Sequence, residues 1–156
     1  MDRVDTQRQA TLTRGDPMEH VFQAADAAVT VYTADPNFYR PLLRFLLGVP
    51  DPVHRPLFMD RAFGYWWAVV QPLYGSSAAS SPMEAQTLAR DLQIFFAGTI
   101  DFWVHNELNS LEFRAQIRMG VAIRLLSLCL ERYAARLRRE IDACARIINP
   151  LLPEVS

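Results

Sequence analysis

Asp101 and His105 are the pair of side chains whose types and spacing suggest acid–base or metal chemistry. They stand four residues apart, so on a helix they share one face. A metal site needs further ligands, and no other histidine stands at metal-binding spacing. We therefore interpret His105 as a histidine near a helix C-terminus, where the helix dipole favours positive charge. We expect no metal site, and we expect the isolated His20 and His54 at the surface.

Recognisable catalytic motifs are absent from the chain, which contains no G-x-S-x-G, H-E-x-x-H, G-x-G-x-x-G or C-x-x-C pattern. All 16 basic residues are Arg, which excludes a Schiff-base lysine and a P-loop lysine. Cys129 and Cys144 fall on one predicted helix, roughly 22 Å apart at its standard rise. That is too far for a disulfide, so we expect buried reduced thiols. We predict neither catalytic residues nor a cofactor.

Aromatic residues cluster on three predicted helices and are the best candidates for a binding pocket. Aromatic rings stack on planar ligands, and Tyr and Trp add a hydrogen-bonding edge. Gly64 and Gly98 would either allow close helix approach or leave space for a ligand. The alternative is that these side chains form the core. The predicted ligand-binding residues are Phe22, Tyr32, Phe63, Trp66, Trp67, Phe95, Phe96, Thr99, Phe102 and Trp103, with Tyr65 in the same cluster.

Arginines offer a weaker signal for an acidic ligand group. Arg40 and Arg44 are one turn apart, and Asp60 and Arg61 follow on the next helix. These side chains could pair with each other, hold an acidic group or form a solvated face, and we favour the solvated face. The Arg-rich stretch Arg132–Arg139 is offset by nearby acidic residues and is typical of the exposed face of an amphipathic helix.

Start and stop signals divide the chain into five predicted helices. Asp-Pro pairs at 16–17 and 35–36 combine an N-cap with a first-turn proline. Ser110 is expected to cap the last helix, which Pro150 ends. No alternating strand pattern appears, so we predict an all-α helical bundle. The helices are about Asp16–Thr33, Pro36–Gly48 with the apolar stripe Phe38, Leu42, Phe45 and Leu46, Val53–Tyr74, Ser81–Glu107 and Ser110–Asn149.

Length and charge set the broad class. The chain is long enough for one domain with a real core, and we divide it into a polar segment 1–15, an all-α domain 16–149 and a tail 150–156. A net charge of −1 gives no general attraction to nucleic acid or anionic lipid. The polar N-terminus lacks a signal peptide, and the uncharged run after Ala62 is broken by Pro72 and Gly75. We expect a cytoplasmic protein that is not bound to a membrane.

The last two predicted helices are apolar on more than one side. In the segment Met119–Leu130 only Arg124 and Ser127 are polar. A helix that is apolar around most of its circumference must be covered on several sides, so we predict that one side of these helices faces a second copy of the chain. The predicted interface residues are Ile94, Gly98, Val121, Leu125, Leu128 and Cys129.

The order of these parts resembles the C-terminal domain of the TetR family of transcriptional regulators. The stretch Leu88–Trp103 resembles the family's "L-A…L…G-x-x-x-x-W" helix, and Ser110–Ala122 resembles the helix that follows it. The resemblance covers roughly residues 16–149. It implies a homodimer in which the last two helices of each copy form a four-helix bundle, while the earlier helices enclose an apolar effector pocket. A DNA-reading helix-turn-helix domain should precede this region, and only about 15 polar residues do, which could be the remnant of a linking helix.

The sequence therefore favours an effector-sensing and dimerisation domain that binds a small apolar or aromatic ligand, without direct nucleic-acid binding by this chain. Two alternatives remain at this stage. A small helical enzyme could use the aromatic cavity, with Asp101 and His105 as its best polar pair. A structural dimerisation module would have the same helices and no pocket.

Overall fold

Six α-helices account for most of the chain that the computed structural model describes, namely residues 15–74, 82–127 and 134–149. No β-strand occurs in these ranges, so the all-α prediction is confirmed. The helices are α1 Pro17–Ala34, α2 Pro36–Gly48, α3 His54–Tyr74, α4 Pro82–Val104, α5 Ser110–Ser127 and α6 Ala134–Ile148. The polar segment, the tail and most of the Gly75–Pro82 linker lie outside the described residues.

Local capping chemistry fixes where the helices begin. Asp16 and Asp35 accept hydrogen bonds at 3.0 and 3.2 Å from amides in the first turns of α1 and α2, as predicted. At α5 the cap is Asn109 and not Ser110. Its side chain accepts from two first-turn amides at 2.9 Å, and the Glu112 carboxylate accepts from the Asn109 amide at 2.8 Å. This reciprocal capping box satisfies amides that have no partner inside the helix.

The predicted single helix Ser110–Asn149 is wrong. The chain forms two helices there, α5 and α6, and α6 packs against α5 more extensively than any other two helices pack. In a continuous helix Arg118 and Glu140 would be ~33 Å apart. Instead Arg118 Nε lies 2.6 Å from Glu140 Oε1. No Pro or Gly occurs between Gly120 and Pro150, so the sequence contains no local signal for this break.

The helix α5 is the centre of the fold, because α1, α4 and α6 all pack against it. Its residues Val121, Ala122 and Leu125 have no exposed surface within the single chain. This part of the apolar pattern that suggested a partner chain is therefore covered by the protein itself, whereas Ile123 on the same helix is 45% exposed. The remaining part of that apolar segment, residues 128–130, lies outside the described ranges.

Ion pairs connect the helices around α5. Asp26 on α1 accepts from Arg114 at 3.1 Å and from Arg118 at 2.5 Å, and Arg118 also pairs with Glu140 on α6. The hydrogen bond from Arg118 lowers the pKa of Glu140. Arg136, within the Arg-rich stretch, pairs with two acidic residues at the start of α1. This arginine thus connects α6 to α1, although the sequence predicted a solvated face.

The apolar stripe of α2 faces away from the core, against expectation. The inner side of α2 contributes Leu43, which is 1% exposed. Next to it, the Arg40 guanidinium lies 4.8 Å from the centre of the Trp103 ring, and Arg44 donates to the Val104 carbonyl at 2.6 Å. These contacts with the end of α4 set the orientation of α2. The stripe residues Phe38, Leu42 and Phe45 are then 57%, 38% and 45% exposed, with Leu46 partly buried.

Candidate functional site

An apolar cavity of about 450 Å³ opens between α1, α3 and α4, with one contribution from α2. Ligand pockets in proteins typically measure 300–1,000 Å³ and are lined mainly by apolar and aromatic groups. The lining residues are Ala27, Ala28, Val31 and Tyr32 on α1, Leu47 on α2, Phe58, Met59, Arg61, Ala62, Tyr65 and Trp66 on α3, and Gln93, Phe96, Ala97 and Ile100 on α4.

Small side chains create the space. Ala28 on α1, Ala62 on α3 and Ala97 on α4 line the cavity where the three helices face one another. Each alanine has a larger lining residue one helical turn away. The larger side chains keep the helices apart, and the alanines leave the space between them unfilled. Protein interiors contain few voids larger than a water molecule. A cavity of this size between packed helices is therefore a candidate binding site.

Aromatic rings form the inner wall of the cavity. The ring of Trp66 lies 5.4 Å from that of Phe96 and 5.4 Å from that of Tyr65, and Tyr32 approaches Phe96 at 6.2 Å. The Tyr65 hydroxyl donates to the Ala24 carbonyl at 2.7 Å, which ties α3 to α1. Ring pairs at these separations are mutually attractive, so the wall is held in place without a ligand.

Among the described lining residues, Gln93 is the one buried polar side chain, and it is fully engaged with the protein. It is 4% exposed, and its amide nitrogen donates to the Met59 carbonyl at 2.7 Å. Its amide oxygen accepts from Arg90 at 2.7 Å. Both ends are satisfied, as a buried amide requires. Gln93 therefore ties α4 to α3 at one side of the cavity.

Further residues of the lining have polar groups that the protein does not engage, among them Tyr32 and Arg61. Within the described part of the chain, neither the Tyr32 hydroxyl nor the Arg61 guanidinium has a hydrogen-bond or ion-pair partner. Tyr32 is partly buried, and burial followed by the nearby Tyr39 raises the pKa of its phenol. The phenol is thus a neutral donor at neutral pH. Arg61 is exposed at the cavity rim.

The structure brings three of the ten predicted ligand-binding residues to the cavity: Tyr32, Trp66 and Phe96. The other seven do not line it. Phe22, Thr99 and Trp103 are 1%, 6% and 0% exposed within the core, and Phe102 is 53% exposed on the surface. Phe63 and Trp67, both partly buried, stack on each other at 6.3 Å, and the ring of Phe95 lies against Gly120.

Several lining residues were not predicted as a site. The alanines and Met59 carry no chemical signal, and Phe58 and Leu47 look like ordinary core residues in the sequence. A helical-spacing signal did exist on α4, because Gln93, Phe96, Ala97 and Ile100 share one face. Which face of α4 meets α3 depends on tertiary packing, and the sequence pattern does not specify it.

Asp101 and His105 have the surroundings expected of a helix end. His105 Nδ1 lies 2.8 Å from the Asp101 carbonyl oxygen and 3.5 Å from its carboxylate, with both side chains exposed. No cluster of three or more His, Cys, Asp or Glu side chains that could hold a metal occurs among the described residues. Burial, followed by the nearby Glu140 carboxylate, raises the pKa of the Cys144 thiol to about 12, so Cys144 is not an activated nucleophile.

The predicted dimer-interface residues fall into three groups. Val121 and Leu125 are 0% exposed in the single chain, so in this arrangement they offer no surface to a second copy. A substitution at Leu125 would test the core of the monomer and not a dimer. Ile94 is 65% exposed on α4, and Gly98 has no atom within 4 Å of the position that a Cβ would occupy. Leu128 and Cys129 lie outside the described residues.

Comparison of the chain with protein-family models, with curated proteins and with solved structures gave no match. Of the described helices, none is long and apolar enough to cross a membrane.

Proposed function

We propose that this chain is an effector-sensing and dimerisation domain, resembling that of TetR regulators, whose cavity binds a small apolar or aromatic ligand. The observation that carries the proposal is the cavity itself: about 450 Å³, walled by Trp66, Phe96 and Ile100. Burial of an apolar ligand surface against such walls contributes roughly 25 cal/mol per Å². Two polar groups without a protein partner, on Tyr32 and Arg61, could orient the ligand.

A homodimer through the outer faces of α4 and α5 is the second part of the proposal. The two helices run antiparallel, since Phe95 meets Gly120 and Asp91 pairs with Arg124 at 2.6 Å. These two contacts define the line along which α4 and α5 touch. At 100° per residue, the exposed residues of both helices lie on the same side of that line. They form one surface with an apolar centre and polar ends. The centre contains Ile94, Gly98 and Phe102 on α4, and Met119 and Ile123 on α5.

A second copy of this chain suits that surface. Gly98 stands between Ile94 and Phe102, where the absence of a side chain would let two copies of α4 approach closely. An isologous dimer needs a self-complementary patch, and an apolar centre with a polar rim meets that need. The outer face of α4 then belongs to the dimer while its inner face lines the cavity.

Ligand sensing would follow from this double role of α4. A ligand between α3 and α4 favours the arrangement of the two helices that accommodates it best. A change in the position of α4 alters the dimer surface on its other side. In a TetR-like regulator, the paired domains set the spacing of two DNA-reading heads, so such a change would be transmitted to DNA.

Binding of N-phenyl-1-naphthylamine, a neutral dye that becomes fluorescent in apolar sites, tests the proposal. We expect saturable fluorescence enhancement with the wild-type chain, and a loss of at least tenfold in affinity for Ala97→Leu, which fills the cavity. Ala143→Leu on the exposed side of α6 is the matched control and should bind the dye as the wild type does. Unsaturable binding, or equal binding by all three proteins, would refute a ligand site in this cavity and leave a structural module.

A further inference from the structure

We infer that the natural ligand is an amphipathic organic anion, with an apolar body inside the cavity and one acidic group held by Arg61 at the rim. This inference rests on the proposed function and specifies the ligand class of the same cavity. It follows from the charges of the lining and from the hydrogen-bonding groups left unused there.

The charge of the lining is the first observation. Of the lining residues that the structure describes, Arg61 alone has a charged side chain, and none is Asp or Glu. Among the described residues the guanidinium of Arg61 has no carboxylate, carbonyl or aromatic partner. Most other arginines of the fold are used: Arg44 and Arg55 hold carbonyls at helix ends, and Arg118 pairs with two carboxylates. A cationic ligand would find no counter-charge in this site.

The hydroxyl of Tyr32 is the second observation. Tyr32 lines the same cavity from α1, and within the described ranges its hydroxyl donates to no protein group. By contrast, Tyr65 and Gln93 in the same lining are bonded to the Ala24 and Met59 carbonyls. Among the described residues the unused groups are thus the Arg61 guanidinium, the neutral Tyr32 phenol and the Trp66 indole N–H, and all three can donate. Hydrogen-bond donors without acceptors are the arrangement that a carboxylate satisfies.

The apolar residues of the lining determine what the rest of the ligand, apart from its acidic group, can be. Val31, Phe58 and Ile100 join the aromatic wall, and the polar groups of Tyr65 and Gln93 bond to the protein. Since Arg61 alone is charged among the described lining residues, a second charged group in the ligand would lie unpaired inside the cavity, which is unfavourable. The class is therefore a monoacid with an aryl or alkyl body.

Competition between two naphthyl compounds of similar size tests the inference. The probes are 1-naphthaleneacetate and 2-(1-naphthyl)ethanol, and the readout is displacement of N-phenyl-1-naphthylamine. We expect the acid to displace the dye at least tenfold more strongly than the alcohol in the wild type. In Arg61→Gln the two should become equal while the alcohol is unchanged. Arg139→Gln, at an exposed arginine of α6, should keep the wild-type preference.

The outcomes separate the two proposals. Equal displacement by acid and alcohol in the wild type, or a preference for the acid that survives in Arg61→Gln, would overturn the anion assignment while the apolar site stands. If the dye itself does not bind, the proposed function fails on that result. Calorimetric titration with 1-naphthaleneacetate then decides the inference separately, because an acid that gives no Arg61-dependent heat overturns it.

Discussion

Gly120 determines how closely α4 and α5 approach. A Cβ at this position would lie 1.9 Å from the tip of the Phe95 ring, whereas at Gly64 it would meet nothing within 4 Å. The sequence drew attention to Gly64 and Gly98 as positions of close approach or open space, and both border open space. The glycine at the close approach was Gly120, and only the structure identifies the ring that packs on it.

Alanine at Gly120 is therefore expected to destabilise the fold. The Phe95 ring must move, and the Arg124 guanidinium, 4.0 Å above its centre, must move with it. We expect a loss of about 1–3 kcal/mol in the free energy of unfolding, measured by urea denaturation. Gly64→Ala, in the middle of α3, should instead gain up to about 1 kcal/mol from helix propensity alone. Equal effects of the two substitutions would contradict the packing described here.

At the scale of the helices, the starts were predictable and the final break was not. Asp-Pro pairs encode the starts of α1 and α2 locally, so sequence rules located them. The separation of α5 from α6 carries no Pro or Gly, and the face that α2 presents to the core is set by the contacts of Arg40 and Arg44 with α4. The break and the orientation of α2 both depend on which helices pack together. Patterns within a short stretch of sequence do not contain that information. The same limit explains why three cavity aromatics were predicted and the four lining alanines were not.

The pairing of α5 with α6 gives a pH-dependent prediction. The Arg118 hydrogen bond lowers the pKa of Glu140 in the folded state. The group therefore stabilises the fold at pH values above its ordinary pKa, and this stabilisation is lost as the pH falls through the lowered folded pKa. Glu140→Gln should reduce stability by about 1 kcal/mol at pH 7, and its stability should converge with that of the wild type under acidic conditions.

The control for this experiment is Glu107→Gln, since Glu107 lies on the exposed turn between α4 and α5. This variant should follow the wild-type pH dependence, measured as the free energy of unfolding from pH 7 down to pH 2. A difference between Glu140→Gln and wild type that persists unchanged at low pH would contradict the ion-pair origin of the effect.

At the scale of the whole molecule, the proposal that two copies associate depends on the outer face of α4. We expect Ile94→Glu to give a folded monomer, because the substitution puts a charge at the apolar centre of the proposed interface. Phe45→Glu changes a comparably exposed residue on α2 and should leave the dimer intact. Light scattering after size-exclusion chromatography measures the mass. A dimer that persists in Ile94→Glu would rule out this face.

The central claim is that a ligand occupies the cavity between α1, α3 and α4, and contact quenching of tryptophan tests it most directly. Trp66 lines the cavity, whereas Trp103 is fully buried elsewhere in the core. Two variants that keep only one of these tryptophans, with Phe at the other tryptophan positions, are titrated with 1,2-dibromodecane, an apolar quencher. The account predicts saturable quenching of Trp66 emission and little change in Trp103 emission. Equal quenching of both tryptophans, or of neither, would contradict it.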